Sequence, residues 1–235
     1  MPYKKVIAFG DSFTRGDELT DCPDEPSLFS TSTWPALLAK KLNIDYDCIA
    51  IGGKGNHWIS WMVAKDLHKL KDVLCIINWT WFERFDYITN DTVNTDWVQW
   101  RTTHPRHEDK LNHYFYKHID SEYWNLHRNL QQLHSTIALL KQNKINFLMT
   151  CLDPLLHTKI QGDSLYDKDW QDVTTNLQEH ILYEIINFYG YTFLDWSKHK
   201  NFPLGANGHP LEKAHVEAAK YINTHTIEGK NNGHR

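Results

Sequence analysis

Val6-Ile7-Ala8-Phe9-Gly10-Asp11-Ser12-Phe13-Thr14-Arg15-Gly16 is the stretch that decides the fold class. The four apolar residues Val6 to Phe9 read as a compact strand buried on both faces. Gly10 ends it, and Ser12 follows two residues later. A serine just after a strand and behind a glycine can sit on a tight turn. The backbone N–H groups of that turn then face the same space as the hydroxyl. Acyl transfer needs this pairing of nucleophile and oxyanion cradle. The plainer reading of Asp11-Ser12 is a pair of turn-capping side chains, with Asp11 bracing the turn through backbone N–H groups.

Outward from this stretch, short apolar runs alternate with longer helical patterns. Trp34 to Leu42 reads as a helix, with Thr33 as its cap and Pro35 in its first turn. Tyr46 to Ile51 reads as a second strand, followed by Gly52-Gly53. Trp58 to Leu70 is amphipathic, with Ile59, Met62, Val63, Leu67 and Leu70 near helical spacing. Val73 to Asn78 is a third strand, apolar through most of its length. Leu126 to Gln142 carries Leu130, Leu133, Ile137 and Leu140 on one stripe. Ile145 to Cys151 is a fourth strand, Trp170 to Tyr189 a helix stopped at Gly190, and Tyr191 to Asp195 a fifth short strand. Leu211 to about Ile227 is the last helix, and the polar tail Gly229 to Arg235 is expected to fray. Five alternations of strand and helix predict a mostly parallel sheet with helices on both faces. Such sheets carry function at the carboxyl ends of their strands, where Gly10-Asp11-Ser12, Gly52-Gly53 and Asn78 to Thr80 fall. With no internal repeat or low-complexity linker, residues 1–235 read as one domain.

The rhythm breaks between Trp79 and about Ile119. Trp81, Phe82, Phe85, Tyr87, Trp97, Trp100, Tyr114, Phe115, Tyr116 and Tyr123 lie in or just beyond this region, with His104, His107, His113 and His118 among them. The histidine spacings fit no standard zinc pattern. The plain reading is a lid or small subdomain with an aromatic core. Its position after the third strand favours a substrate-covering role, since aromatic faces stack on sugar rings.

Bulk composition excludes several classes. The 235 residues are 41% hydrophobic and 23% charged, ordinary for a globular chain. A net charge of -4 gives no basic face for nucleic acid. No run of 18 apolar residues occurs, so no membrane span is expected. Met-Pro-Tyr-Lys-Lys lacks the apolar stretch of a signal peptide. Cys48, Cys75 and Cys151 lie in strand-like runs and, with Cys22, read as reduced cysteines. A cytoplasmic location follows as an expectation, with packing into a virion as the other option.

A histidine completes the pattern. Asn207-Gly208-His209-Pro210 precedes the last helix, and a residue before proline is held extended. His209 can therefore face Ser12 across the sheet, or else be one of 15 histidines beside a helix cap.

Together these blocks resemble the SGNH (GDSL-type) hydrolase superfamily. Ile7 to Gly16 looks like its first block, and Thr33-Trp34-Pro35-Ala36-Leu37-Leu38-Ala39 like the helix that follows. Ile51-Gly52-Gly53-Lys54-Gly55-Asn56 is similar to the second block, and Gly208-His209-Pro210 with His215 to the last. The resemblance implies a flavodoxin-like three-layer α/β/α sandwich with a five-stranded parallel sheet. It implies a serine esterase with Ser12 as nucleophile, His209 as base, and the N–H groups of Ser12 and Gly53 as oxyanion donors. It calls for no cofactor and no metal, and for a small-molecule or glycan ester as substrate; the oligomeric state stays open.

Two blocks depart from the family pattern. The third block normally places an asparagine after the third strand as a further oxyanion donor. Here Thr80 takes that slot and Asn78 the preceding glycine slot, and either can donate a hydrogen bond. The Trp-Thr-x-x-x-Arg form (Trp79 to Arg84) resembles members encoded by tailed phages. The family's aspartate two or three residues before the histidine is replaced by Asn207 and Ala206. Asn207 can accept from the imidazole without holding charge. Otherwise a backbone carbonyl or another carboxylate orients the ring, with Asp195 as a candidate more easily read as a strand-end or cap residue. Asn56 is either a polar pocket wall or the N-cap of the next helix. Two functions remain: a serine esterase acting on a small acyl ester, such as an acetyl group on a carbohydrate, or a non-catalytic glycan-binding or structural virion module. A long-chain lipase is disfavoured, because no long apolar stripe is present.

Overall fold

The computed structural model describes residues 3–89, 99–104, 109–157 and 168–228. Its central sheet holds β1 (Lys5–Gly10), β2 (Asp45–Ala50), β3 (Val73–Trp79) and β6 (Asn146–Cys151), all parallel, in the order β2-β1-β3-β6. Chain direction away from β1 reverses between its two neighbours, β2 and β3. The crevice at such a switch point is where parallel sheets bind ligands.

Burial on both faces explains why β1 and most of β3 are apolar. Ile7, Phe9, Cys75, Ile77 and Met149 face one core, and Val6, Ala8, Leu74, Ile76 and Leu148 face the other. The first core is closed by α3 (Asn56–Lys65) and α5 (Glu122–Gln142), with Ile181 from α6 (Lys168–Leu182). Leu126, Leu130, Leu133, Ile137 and Leu140 form the α5 stripe, as their spacing predicts. The second core is closed by α2 (Trp34–Leu42), α7 (Phe193–His199) and α8 (Glu212–Ile222). Cys75 and Cys151 are buried, as their apolar surroundings predict.

The sheet has four strands among the described residues, not the expected five. Tyr191 to Asp195 is no strand, because Phe193 opens α7. Thr192 caps that helix by accepting from Asp195 N–H at 3.1 Å, and its hydroxyl donates to Asp195 Oδ2 at 2.8 Å. This reciprocal cap outweighs a five-residue apolar run that suits strand or helix equally. Asp195 is thus a helix-start residue and not a substitute acid. The fifth position beside β6 is reduced to one parallel bridge between Met149 and Ile185.

The insertion after β3 contains the antiparallel pair β4 (Asp86–Thr89) and β5 (Gln99–Thr102), then α4 (Lys110–His118). Its aromatics chiefly form a core of their own. The Phe85 and Phe115 rings lie 5.1 Å apart, and the Arg128 guanidinium stacks 4.4 Å from Trp124. The insertion is also tied to the sheet side of the molecule. Asp86 accepts from Gly55 N–H at 2.9 Å and Trp58 N–H at 2.8 Å, capping α3 from 30 residues downstream in sequence. Trp97 and His107 lie outside the described residues, as does the tail from Gly229. No described helix is long and apolar enough to cross a membrane.

Candidate active site

β1 delivers Asp11 and Ser12 to the switch point. Asp11 is the N-cap of the single-turn α1 (Ser12–Arg15), accepting from Phe13 N–H at 3.1 Å, so it does brace the turn. Ser12 is 7% exposed and opens onto a cleft of about 830 Å³. His209 reaches the same cleft from the loop before α8, 197 residues away in sequence, with Nε2 2.9 Å from Ser12 Oγ. The loop is held by its own bonds: Gly205 N–H donates to the His209 carbonyl at 2.8 Å and Leu211 N–H to Pro203 at 3.0 Å. The ring packs against Phe13, with centroids 4.7 Å apart.

The acceptor for the ring is Glu18, which the sequence reading did not select. Glu18 Oε2 lies 2.6 Å from His209 Nδ1, and its other oxygen accepts from Asn207 N–H at 2.9 Å. Asn207 therefore contributes backbone to the site. Its side chain does not orient the imidazole, which corrects its assignment to the acid position. A glutamate at this place has a physical cost. Glu18 has φ 69°, the left-handed region that few non-glycine residues adopt. Its carboxylate rests on Gly205, where a Cβ would lie 2.5 Å from Glu18 Cδ. Burial raises the Glu18 pKa, but the hydrogen bonds from Asn207 and His209, with the His209 charge, outweigh it and hold the carboxyl below its ordinary value. An ionised carboxylate only accepts, so Nδ1 carries the proton and Nε2 is free to accept from the serine hydroxyl. The only sequence signal for Glu18 was an acidic pair, Asp17-Glu18, directly behind the nucleophile turn.

Gly53 lines the cleft with φ 78°, a conformation that favours glycine in the turn after β2. Three other expected pocket residues do not face the cleft. Thr80 is fully buried, and its hydroxyl donates to Asp11 Oδ2 at 2.6 Å. Asn78 accepts from the Thr150 hydroxyl at 2.6 Å, inside the sheet. Asn56 is neither pocket wall nor N-cap: Gly55 is the cap, and the buried Asn56 amide clamps Thr80 by bonds of 3.1 Å to its carbonyl and 2.8 Å from its N–H. Thr80 and Asn56 belong to a buried network under the site, whereas the Asn78 side chain bonds Thr150 and leaves Nδ2 without a partner among the described residues. In the sequence Arg84 stands out only as the last residue of the Trp-Thr-x-x-x-Arg pattern. It lines the cleft and pairs with Asp11 at 2.8 Å. His215 is buried behind the site and accepts from Trp34 N–H at 3.0 Å. Of the insertion, Trp81, Glu83, Arg84 and His104 reach the cleft.

The fold is an α/β architecture like that of the SGNH (GDSL-type) hydrolases. Among solved structures, the chain is similar to the psychrotrophic esterase EstA from Pseudoalteromonas sp., at 12% identity and a TM-score of 0.52 over 98% of this chain and 100% of that one. It is similar to TesA at 15% identity and a TM-score of 0.50, covering 93% and 95%. A member of the lipolytic protein G-D-S-L family from Veillonella parvula matches at 15% identity and a TM-score of 0.48, covering 95% and 98%. No protein-family model and no curated protein matches the chain.

Proposed function

We propose that the protein is a serine-dependent carboxylic ester hydrolase acting on small acyl esters. One observation carries this reading: the continuous hydrogen-bond chain Ser12 Oγ, His209, Glu18 at the floor of an open cleft. Each member has the partner its chemistry requires. In the proposed reaction, Ser12 Oγ attacks the ester carbon while its proton passes to His209 Nε2. Glu18 stabilises the imidazolium that forms. The N–H groups of Ser12 and Gly53 receive the developing oxyanion, and loss of one such donor typically costs about 3–4 kcal/mol. Collapse of the tetrahedral intermediate expels the alcohol with the proton from His209. Water then adds to the acyl-serine by the same route, releasing the acid and restoring the serine hydroxyl.

The size of the acyl group follows from the walls. Phe13, Trp81 and Leu194 are the apolar side chains at the cleft, among Asp17, Glu83, Lys198 and His104. Such a mixed lining suits a short acyl group better than a long chain, and Trp81 offers a face for a sugar ring. A non-catalytic module is favoured by the missing acid before His209 and by the altered third block; the Glu18 contact with His209 weakens the first of these motives.

The test is hydrolysis of p-nitrophenyl acetate and acetylated sugars by wild type and Ser12→Ala. Activity that disappears in the variant, with fluorophosphonate labelling of Ser12 in the wild type, supports the reading. Equal activity in both proteins, or no labelling, ends it.

A further inference from the structure

We propose that Arg84 is the third oxyanion donor of this site, acting through guanidinium N–H groups that no protein acceptor takes up. The proposal rests on the hydrolase reading above and names a residue that reading does not use.

The observation is an excess of donors on a buried cation. Arg84 is 6% exposed. A guanidinium has five N–H groups. Nη1 is fully engaged: Asp11 Oδ2 lies at 2.8 Å, Thr80 Oγ1 at 2.7 Å and the Lys54 carbonyl at 2.9 Å. Nε is buried without a partner among the described residues, and the hydrogen bonds of the guanidinium all run from Nη1. Buried donors are nearly always paired, so an unmet one on a residue that lines the cleft points to a group that arrives with the substrate. The residue in the third-donor slot cannot serve instead. The Thr80 hydroxyl is committed to Asp11, and Asn78, whose Nδ2 is also buried without a partner among the described residues, does not line the cleft.

Position favours the oxyanion over another part of the substrate. Asp11 precedes the nucleophile, and Lys54 follows Gly53. Arg84 is bonded to both, so its guanidinium spans the two turns that carry the backbone donors. Charge favours it as well. Asp11 balances Arg84 in the resting site, so a neutral ester meets a neutral pair. When the carbonyl oxygen becomes an alkoxide, a fixed cation already stands beside it with no reorganisation required. The planar fork is held from one edge, leaving the other preorganised to donate.

The test uses full-length Arg84→Gln and Arg84→Lys with p-nitrophenyl acetate, a neutral ester. The expected result for Arg84→Gln is a 10²- to 10³-fold fall in kcat with KM within about threefold. Arg84→Lys recovers part of the loss. A boronic acid that forms a tetrahedral adduct on Ser12 loses affinity in parallel with kcat, a coupling that a merely structural role would not produce. If Arg84→Gln does not fold by circular dichroism, Asp11→Asn combined with Arg84→Gln removes both buried charges, and its kcat is read against that of Asp11→Asn alone, which carries any loss at the turn cap. A folded variant with kcat within threefold of wild type overturns the proposal. So does a rise in KM confined to anionic esters, which would make Arg84 a receptor for substrate charge. Wild type that neither hydrolyses the ester nor labels at Ser12 sinks the hydrolase reading and this one together. Active, labelled wild type beside unimpaired Arg84 variants sinks only this one.

Discussion

At the scale of single residues, the site turns on which group orients His209. Glu18 bonds Nδ1 at 2.6 Å, whereas Asn207 offers only its backbone N–H. Glu18→Gln keeps the shape but removes the charge that stabilises the imidazolium and leaves the tautomer unspecified. By analogy with the serine-protease case, its kcat should fall about 10³- to 10⁴-fold. Asn207→Ala, which retains the backbone donor, should stay within about tenfold. Steady-state kinetics on one neutral ester decides between them; a larger loss in Asn207→Ala would return the acid role to the loop. Gly205→Ala makes a second test without touching a reacting group. Its new Cβ would lie 2.5 Å from Glu18 Cδ, and the flexible carboxylate would yield rather than the loop. The expected result is a 10- to 100-fold fall in kcat with a nearly unchanged thermal midpoint, since misplacement of about 1 Å costs on that order. Ser12, Gly53 and His209 were legible because each belongs to a local motif at a strand end or helix start. Glu18 was not, because its place depends on a left-handed backbone and on a loop 190 residues away, neither of which leaves a mark in composition or spacing. Thr80 and Asn78 were misplaced for a related reason: a polar residue at a strand end looks the same whether it faces the cleft or the layer beneath it.

At the scale of elements, the helices and strands followed periodicity except at Tyr191 to Asp195, where a cap competed with it, and in the helix read to Tyr189, which ends at Leu182 before the bridges at Ile185 and Phe188. Tyr191 to Asp195 has strand composition, yet the Thr192–Asp195 bonds start a helix there. The α5 stripe left no such choice, because Leu126 to Ile137 recur at helical spacing over several turns. One contact between elements carries a pH dependence. His215 on α8 accepts from Trp34 N–H at the start of α2, so its Nδ1 must be unprotonated. Burial pushes its pKa from 6.5 down to about 4, the bond to the Pro210 carbonyl opposing only in part. Between those two values the unfolded chain binds a proton that the folded chain refuses. Stability is therefore complete above about pH 6.5 and declines as pH falls toward 4, by up to about 3 kcal/mol from this group. His215→Gln, whose amide oxygen can still accept from Trp34, should flatten that part of the curve. Urea unfolding of both proteins at intervals from pH 7 to pH 4 measures it, and parallel curves would show that His215 titrates alike in the folded and unfolded chains.

For the whole molecule, the sequence made the fold class readable because double-faced burial turns strands into unbroken apolar runs between amphipathic helices. It did not reveal strand number, since an edge strand needs a partner's hydrogen bonds and not only its own composition; the one bridge beside β6 is made by Ile185, in a run read as helix, and not by Tyr191 to Asp195. The resulting architecture has two cores with the sheet between them. Ile59 of α3 lies in one and Ile222 of α8 in the other, both fully buried. The two residues belong to separate clusters on opposite faces of the sheet. Ile59→Val and Ile222→Val should each cost about 1 kcal/mol. If the sheet isolates the cores, the double variant should lose the sum within about 0.5 kcal/mol. A coupling above 1 kcal/mol would mean that β1 and β3 transmit the loss of packing from one face to the other. That distinction bears on the site, because Ser12 hangs from the end of β1 while His209 is fixed by the loop into α8. Additive stability with unchanged kcat in both single variants is the outcome for a catalytic geometry set by the sheet end and its loops. A fall in kcat in Ile222→Val alone would place the tolerance of the Ser12–His209 distance in the α8 layer.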